Sequence, residues 1–208
     1  MTTREPRITP VPIAELRPTQ MTVGLREVSE KRKDWRDKEE DHRGGRFLGE
    51  HLIPVLLGPR GRPYVIDHHH LARALLEEGV QDVATTVVAD LSMLDKGAFW
   101  VFADNRGWCH PYDAAGARRG FDDIPKSIKA MKDDPFRSLA GELRRAGGFA
   151  KETTPFSEFI WADFLRRRIK ASEVREDFGA ALTKALRLAK SPKSSYLPGW
   201  CGPHADGP

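Results

Sequence analysis

The sequence predicts an α+β protein: a small mixed-sheet N-terminal domain followed by a mostly helical half. Three observations carry this reading. Short β-branched runs bounded by Gly and Pro fill the chain up to about residue 92. Beyond Leu91 the apolar residues recur at helical spacing. Between them, the run Tyr64-Val-Ile66 ends at Asp67 and passes at once into the helical pattern His68-His-His-Leu-Ala-Arg-Ala-Leu75.

Taken in order, residues 8–16 read as an extended opening segment with one short strand. Pro18 and Gly24 mark turns in Leu16-Arg-Pro-Thr-Gln-Met-Thr-Val-Gly24. Arg26 to Glu40 is a charge-rich helix anchored by Val28 and Trp35, and His42-Arg-Gly-Gly is a break. Ile53–Leu57 and Arg62–Ile66 flank Gly58-Pro-Arg-Gly61, a hairpin signal. Asp67 is a favoured N-cap for the helix that leaves from His68, and Gly79 ends that helix. Val83–Ala89 is a further strand. Helices are expected over Met93–Ala103, Pro125–Lys132, Phe136–Ala146, Pro155–Ile169 and Ser172–Leu188, with an irregular stretch from Asn105 to Gly120. The Pro- and Gly-rich tail from Ser191 forms no regular element. The domains expected are thus 1–92, a helical cap over 93–190 and a tail over 191–208.

Composition narrows the function classes. The chain has 208 residues, enough for one sizeable core or a core with a helical extension. Apolar residues at 39% and charged residues at 31% exclude wholesale disorder. A net charge of +4 permits an anionic ligand, without the strongly basic signature of a nucleic-acid-binding domain. Cys109 and Cys201 are too few for a disulfide scaffold. With neither a signal core nor a membrane-length apolar run, a cytoplasmic protein with no membrane partner is expected. Oligomeric state is not legible.

The strand-to-helix turn is the expected site. A helix N-terminus presents free amides and the positive end of its dipole, which suits phosphate. Successive helical residues are rotated by about 100°, so at most two of His68, His69 and His70 share a site. Asp67 would orient one imidazole, as carboxylates do for catalytic or metal-bound histidines. Two readings stay open. In one, Asp67, His69 and His70 are catalytic, and His68 with Arg137 and Ser138 contacts a phosphate ligand. In the other, His68 and His70, with Asp67 and one of His42, His51 or His110, hold zinc or iron. Cys109-His110 with Cys201 and His204 is a weaker metal pattern.

In Pro155-Phe-Ser-Glu-Phe-Ile-Trp-Ala-Asp-Phe-Leu165 apolar residues cover nearly every face, the mark of a buried helix. Glu158 is then either ion-paired with an arginine or a general base of raised pKa. Asp133 and Asp134 read as capping residues. Arg144, Arg145, Lys151, Arg166, Arg167, Arg168 and Lys170 read as a solvated helical surface, so nucleic acid is the less favoured partner.

Several stretches carry a family likeness. Leu16-Arg-Pro-Thr-Gln20, then a helix, then a strand ending in Asp67-His-His-His70 with Ala74 seven residues beyond Asp67, resembles the ParB/sulfiredoxin superfamily. More narrowly, Ile66-Asp-His-His-His-Leu-Ala-Arg-Ala-Leu75, Asp134-Pro-Phe-Arg-Ser-Leu-Ala140 and Phe156-Ser-Glu-Phe-Ile-Trp-Ala162 resemble the bacterial group of ParB-like nucleases. The superfamily likeness covers residues 8–92, and the narrower one most of the chain. Relatives use this turn to hold nucleotide phosphates, so the resemblance implies a bound ATP, ADP or CTP with Mg²⁺. It also implies phosphoryl transfer or hydrolysis, with Lys31 and Arg137 near phosphate. A DNA-binding, partition-type role is the other implication. The sulfiredoxin cysteine is replaced here by histidine. Related kinases resemble Asp-Gly-His-x-Arg, where this chain has His68 for the glycine and Leu71 for the arginine.

Overall fold

The computed structural model describes residues 8–40 and 44–203. The chain divides into two compact units, the first formed by residues up to 23, 27–113 and 117–132, the second by 24–26, 114–116 and 133 onward. The fold is α+β. Among the described residues no helix is long and apolar enough to cross a membrane.

The first unit is built on a five-stranded mixed sheet of β1 (Ile8–Pro12), β2 (Arg17–Pro18), β4 (Ile53–Leu57), β5 (Pro63–Val65) and β6 (Asp82–Asp90), in the order β1-β6-β4-β5-β2. Two short strands, β3 (Thr22–Val23) and β7 (Lys132–Asp133), lie outside it. β1 pairs antiparallel with β6, and β6 parallel with β4. The predicted hairpin joins β4 to β5, and β2 adds in parallel to β5. Pro10 and Pro12 suit β1 to an edge, because proline has no N–H to give a second neighbour.

Ile53, Val55 and Val65 of the sheet pack with Leu71, Ala72 and Leu75 of α3 (His69–Glu77). Val28 and Trp35 of α1 (Leu25–Glu40) join this core, so the two apolar points of the charge-rich stretch are its anchors. A helix not foreseen, α2 (Gly44–Glu50), follows. Its glycines argue against a helix on propensity, but the bare Gly44 fits beside Trp35, where a Cβ would stand 3.2 Å from the indole. The rest of the expected break, including His42, lies outside the described residues.

Helix α4 (Lys96–Asn105) begins at Asp95, whose carboxylate accepts the Ala98 N–H at 2.9 Å. Its Phe99 and Trp100 rings lie 4.5 and 5.5 Å from the Tyr64 ring, which ties this helix to the sheet rather than to a separate helical region beginning at residue 93. The helix expected over Pro125–Lys132 is only a 3-10 turn, Ile128–Ala130. The carbonyls of Ile128, Lys129 and Met131 accept the Arg73 guanidinium instead, at 3.3, 2.7 and 3.1 Å.

The second unit packs α5 (Pro135–Arg145), α6 (Ser157–Arg166), α7 (Ala171–Glu176) and α8 (Phe178–Ala189) around Leu139, Leu143, Trp161, Phe164 and Leu165. The single helix expected over Ser172–Leu188 breaks at Asp177, whose carboxylate caps α8 through the Ala180 N–H. Helix α6 is not buried on every face: Ile160 is exposed. The tail, expected to form no regular element, opens with a 3-10 turn over Pro192–Ser194, and it is pinned. Trp161 Nε1–H donates to the Pro198 carbonyl at 2.8 Å, and Trp200 Nε1–H to that of Ala189 at 2.9 Å. Gly199, at φ +69, accepts the Ala150 N–H where a side chain would strike the Ala150 carbonyl.

One buried ion pair stands out in this unit. Asp134 caps α5 through the Phe136 N–H and meets Arg166 Nη2 at 2.8 Å, its side chain 1% exposed. Burial outweighs the arginine's attraction and holds the Asp134 carboxyl above the usual carboxylate range. Arg166→Met leaves that carboxylate buried without its counter-charge. Urea unfolding is expected to show a loss of about 3–5 kcal/mol, much of it recovered in the double variant with Asp134→Asn.

Candidate functional site

The strand-to-helix turn is positioned by a pairing two residues long. Arg17 and Pro18 run parallel to Tyr64 and Val65, so the next residue, Thr19, arrives where β5 gives way to α3. Thr19 Oγ1 donates to the Val65 carbonyl at 2.8 Å, and the Thr19 N–H donates to His69 Nε2 at 3.2 Å. The Thr19 carbonyl accepts the N–H of His110. Thr19, Gln20 and Thr22 are all buried, a polar interior behind the turn.

Each residue of Asp67–His70 has a different environment. Asp67 and His68 are exposed, whereas His69 and His70 are buried. The expectation that Asp67 caps the helix is corrected here. Its Oδ1 accepts the N–H of the adjacent His68 at 2.6 Å, and the N-cap is His68 itself. His68 is left-handed, φ 64 and ψ 25, and no side chain caps α3. The backbone thus takes the conformation that favours glycine, where the kinase-like pattern has one. Histidine tolerates this region better than most residues, at a cost of order 1–3 kcal/mol.

His69 is held from two sides, its Nε2 by the Thr19 amide and its other face by a backbone bond to Val65. Because Nε2 accepts, the ring proton resides on Nδ1. Burial, reinforced by the neighbouring His70, pushes its pKa down to about 3, so the ring is neutral at physiological pH. A proton acceptor at Nε2 would first have to displace Thr19. His70 Nε2 instead faces Glu27 Oε2 of α1 at 3.6 Å, both side chains largely buried. That distance is long for a hydrogen bond and within ion-pair range of a protonated ring. Lys31 follows Glu27 by one turn of α1, on the same helical face.

The remaining expected site residues belong to the second unit. Arg137 is buried, its guanidinium 5.3 Å from the centre of the Phe159 ring. Ser138 Oγ is buried without a hydrogen-bond partner among the described residues, and a Cβ on Gly24 would come within 2.4 Å of it, so that approach requires glycine. Glu158 is half-buried and ion-paired with Arg144 Nε at 3.1 Å, the first of its two anticipated roles. Among the described residues no three or more His, Cys, Asp or Glu gather as a metal site. His110 stacks on Tyr112, and His51 is exposed. His42 and His204 lie outside the described residues.

Sequence reading missed Glu27, which looks like one more acid in a charged helix and meets His70 only through tertiary packing. It also missed Thr19 as the clasp on His69. The signal was present in Arg17-Pro-Thr-Gln20, whose short polar side chains follow a strand that has no obvious polar face.

Comparison with known proteins fixes the family. The family model described as "putative ParB-like nuclease" matches residues 9–167, well over half of the chain, and the chain belongs to that family. Among solved structures it is similar to protein Atu1540 from Agrobacterium tumefaciens, at 54% identity with a TM-score of 0.90, covering 95% of this chain and 98% of that one. No curated protein matches.

The neutral, buried His69 has a thermodynamic consequence. In the unfolded chain it takes up a proton near pH 6.5, whereas in the native state it does so only near pH 3. Between those values the unfolded state binds more protons, so stability falls as pH drops, by about 1.4 kcal/mol per unit. Urea unfolding between pH 7 and 4 is expected to show this component, and a His69→Gln variant is expected to lack it.

Proposed function

We propose that this ParB-like protein is an enzyme acting on a phosphate-bearing ligand, a nucleotide taken with Mg²⁺, at the Asp67–His70 turn, by phosphoryl transfer or hydrolysis. The observation that carries the reading is the start of α3. A left-handed residue opens it, no side chain caps it, and exposed Asp67 and His68 stand beside its first amides. Such a terminus offers N–H donors and a favourable dipole to phosphate oxygens. The family's description as nuclease supports phosphoester chemistry.

The roles follow from the environments. His70, backed by Glu27, moves the proton, because a carboxylate partner stabilises the charged imidazole as it forms. His69 holds the turn against Thr19. Asp67 supplies an exposed carboxylate, and Mg²⁺ bound with a nucleotide takes one or two carboxylates together with phosphate oxygens. Lys31 adds positive charge one turn beyond Glu27. Arg137, Ser138 and Glu158 belong to the second unit and take no part in this reading, Glu158 being paired with Arg144.

Titration calorimetry of the full chain with ATP, ADP and CTP, each with Mg²⁺, tests the reading. Measurable heat is expected with at least one nucleotide, weakened about tenfold or more in Lys31→Ala, since one lost charge-assisted contact is worth about 1.5–3 kcal/mol. A silent titration with all three would overturn it. Turnover of the bound nucleotide is expected to fall in Glu27→Gln with little change in affinity, because the carboxylate acts on His70 and not on the ligand.

A further inference from the structure

We propose that a second site in the first unit, the cleft at the tip of the β4–β5 hairpin, binds single-stranded nucleic acid. This does not rest on the nucleotide reading of the turn. The cleft has a volume of about 740 Å³, within the size range of ligand sites. Arg60 and Arg62 reach it from the hairpin, Arg17 from β2, Lys96 from the start of α4, and Lys126 from the loop beyond. Its carboxylates are both engaged: Asp122 is ion-paired with Lys96, and Asp95 caps α4. Among the described residues none of the three guanidinium groups has an ion-pair partner. The cleft therefore keeps an uncompensated positive charge.

Its floor is aromatic. Trp100 and Phe121 are stacked, their planes 11° apart and centroids 5.9 Å apart, and Tyr64 meets Trp100 edge-on. Phe121 is half-buried, leaving part of its ring accessible. Unpaired arginines around a partly exposed Phe121 ring, backed by the buried Trp100, match a phosphodiester chain with unstacked bases, because cations follow the phosphates while the Phe121 ring takes a base. Duplex DNA keeps its bases stacked inward and offers such a floor nothing. The hairpin adds a further point. Arg60 sits at φ +64, where glycine would rest at lower cost, so the tip carries a guanidinium in spite of backbone strain.

Fluorescence anisotropy of a labelled 12-residue oligothymidylate on the full chain tests the proposal. Binding is expected at low salt. It should weaken about tenfold in Arg60→Gly with Arg62→Ala, and the slope of log affinity against log salt should fall by about 0.7 for each arginine removed. Arg60→Gly alone relieves the strained tip, so weaker binding with an undiminished melting temperature separates recognition from folding. Phe121→Ala should weaken the oligonucleotide several-fold but leave binding of inorganic polyphosphate unchanged. His70→Ala, at the turn, should leave oligonucleotide affinity within about twofold. No binding by the unaltered protein overturns the proposal. So does equal affinity in the arginine variants, or a loss in His70→Ala as large as theirs. Indifference to Phe121→Ala would reduce the cleft to a polyanion patch and overturn it as well.

Discussion

Everything at the turn depends on one short parallel pairing. Arg17 and Pro18 add to β5 for only two residues, yet that register delivers Thr19 to both the Val65 carbonyl and the His69 imidazole. Without Thr19, His69 would be a buried polar ring lacking a partner for Nε2, and burial of an unsatisfied polar group costs about 1–3 kcal/mol. With it, the first turn of α3 is fixed from inside. The outward neighbours Asp67 and His68 stay exposed. The division of labour between adjacent histidines thus follows from rotation along the helix combined with a strand that ends beside it.

Strain is distributed in keeping with this. Three non-glycine residues among those described have positive φ: Arg60, His68 and Phe156. Two flank β5, one at each end, and both present exposed polar side chains. Phe156 opens α6 in the same manner as His68 opens α3, left-handed and without a side-chain cap. The two termini differ in what surrounds them. Ser157 and Glu158 interact at the start of α6, and Glu158 is already paired with Arg144. An αL start is therefore a way for this chain to turn sharply into a helix. What distinguishes the start of α3 is that Asp67 and His68 are both exposed, and the Asp67 carboxylate there accepts only the adjacent His68 N–H and has no ion-pair partner among the described residues.

How much of this was legible follows the range of the interactions involved. The hairpin, the strand ending near Asp67, the two anchors of α1 and the existence of α5 and α6 are local facts, written in turn residues and apolar spacing. The failures come where long-range contacts compete with local pattern. Arg73 draws three carbonyls out of the helix expected after Pro125, and the cap at Asp177 splits a run that reads as one helix. At the site, the placing of chemistry at the turn could be read from residue types. The partition of His69 and His70 into a clasped ring and a carboxylate-backed one could not, since Thr19 and Glu27 are 50 and 43 positions away in the sequence.

The distribution of basic residues shows the same limit and resolves it physically. By count, the arginine-rich second half attracts attention, but four of its arginines are ion-paired: Arg144 with Glu158, Arg145 with Glu142, Arg166 with Asp134 and Arg167 with Asp163. Two of these partners, Glu142 and Asp163, lie three and four residues away, so the sequence already contained their neutralisation. Around the hairpin the arginines are fewer, but the nearby carboxylates are occupied by a lysine and a helix cap. A ligand responds to charge left uncompensated and not to the number of basic residues. On that criterion Arg17, Arg60 and Arg62, without ion-pair partners among the described residues, leave the tip of the hairpin more cationic than its count of basic residues suggests.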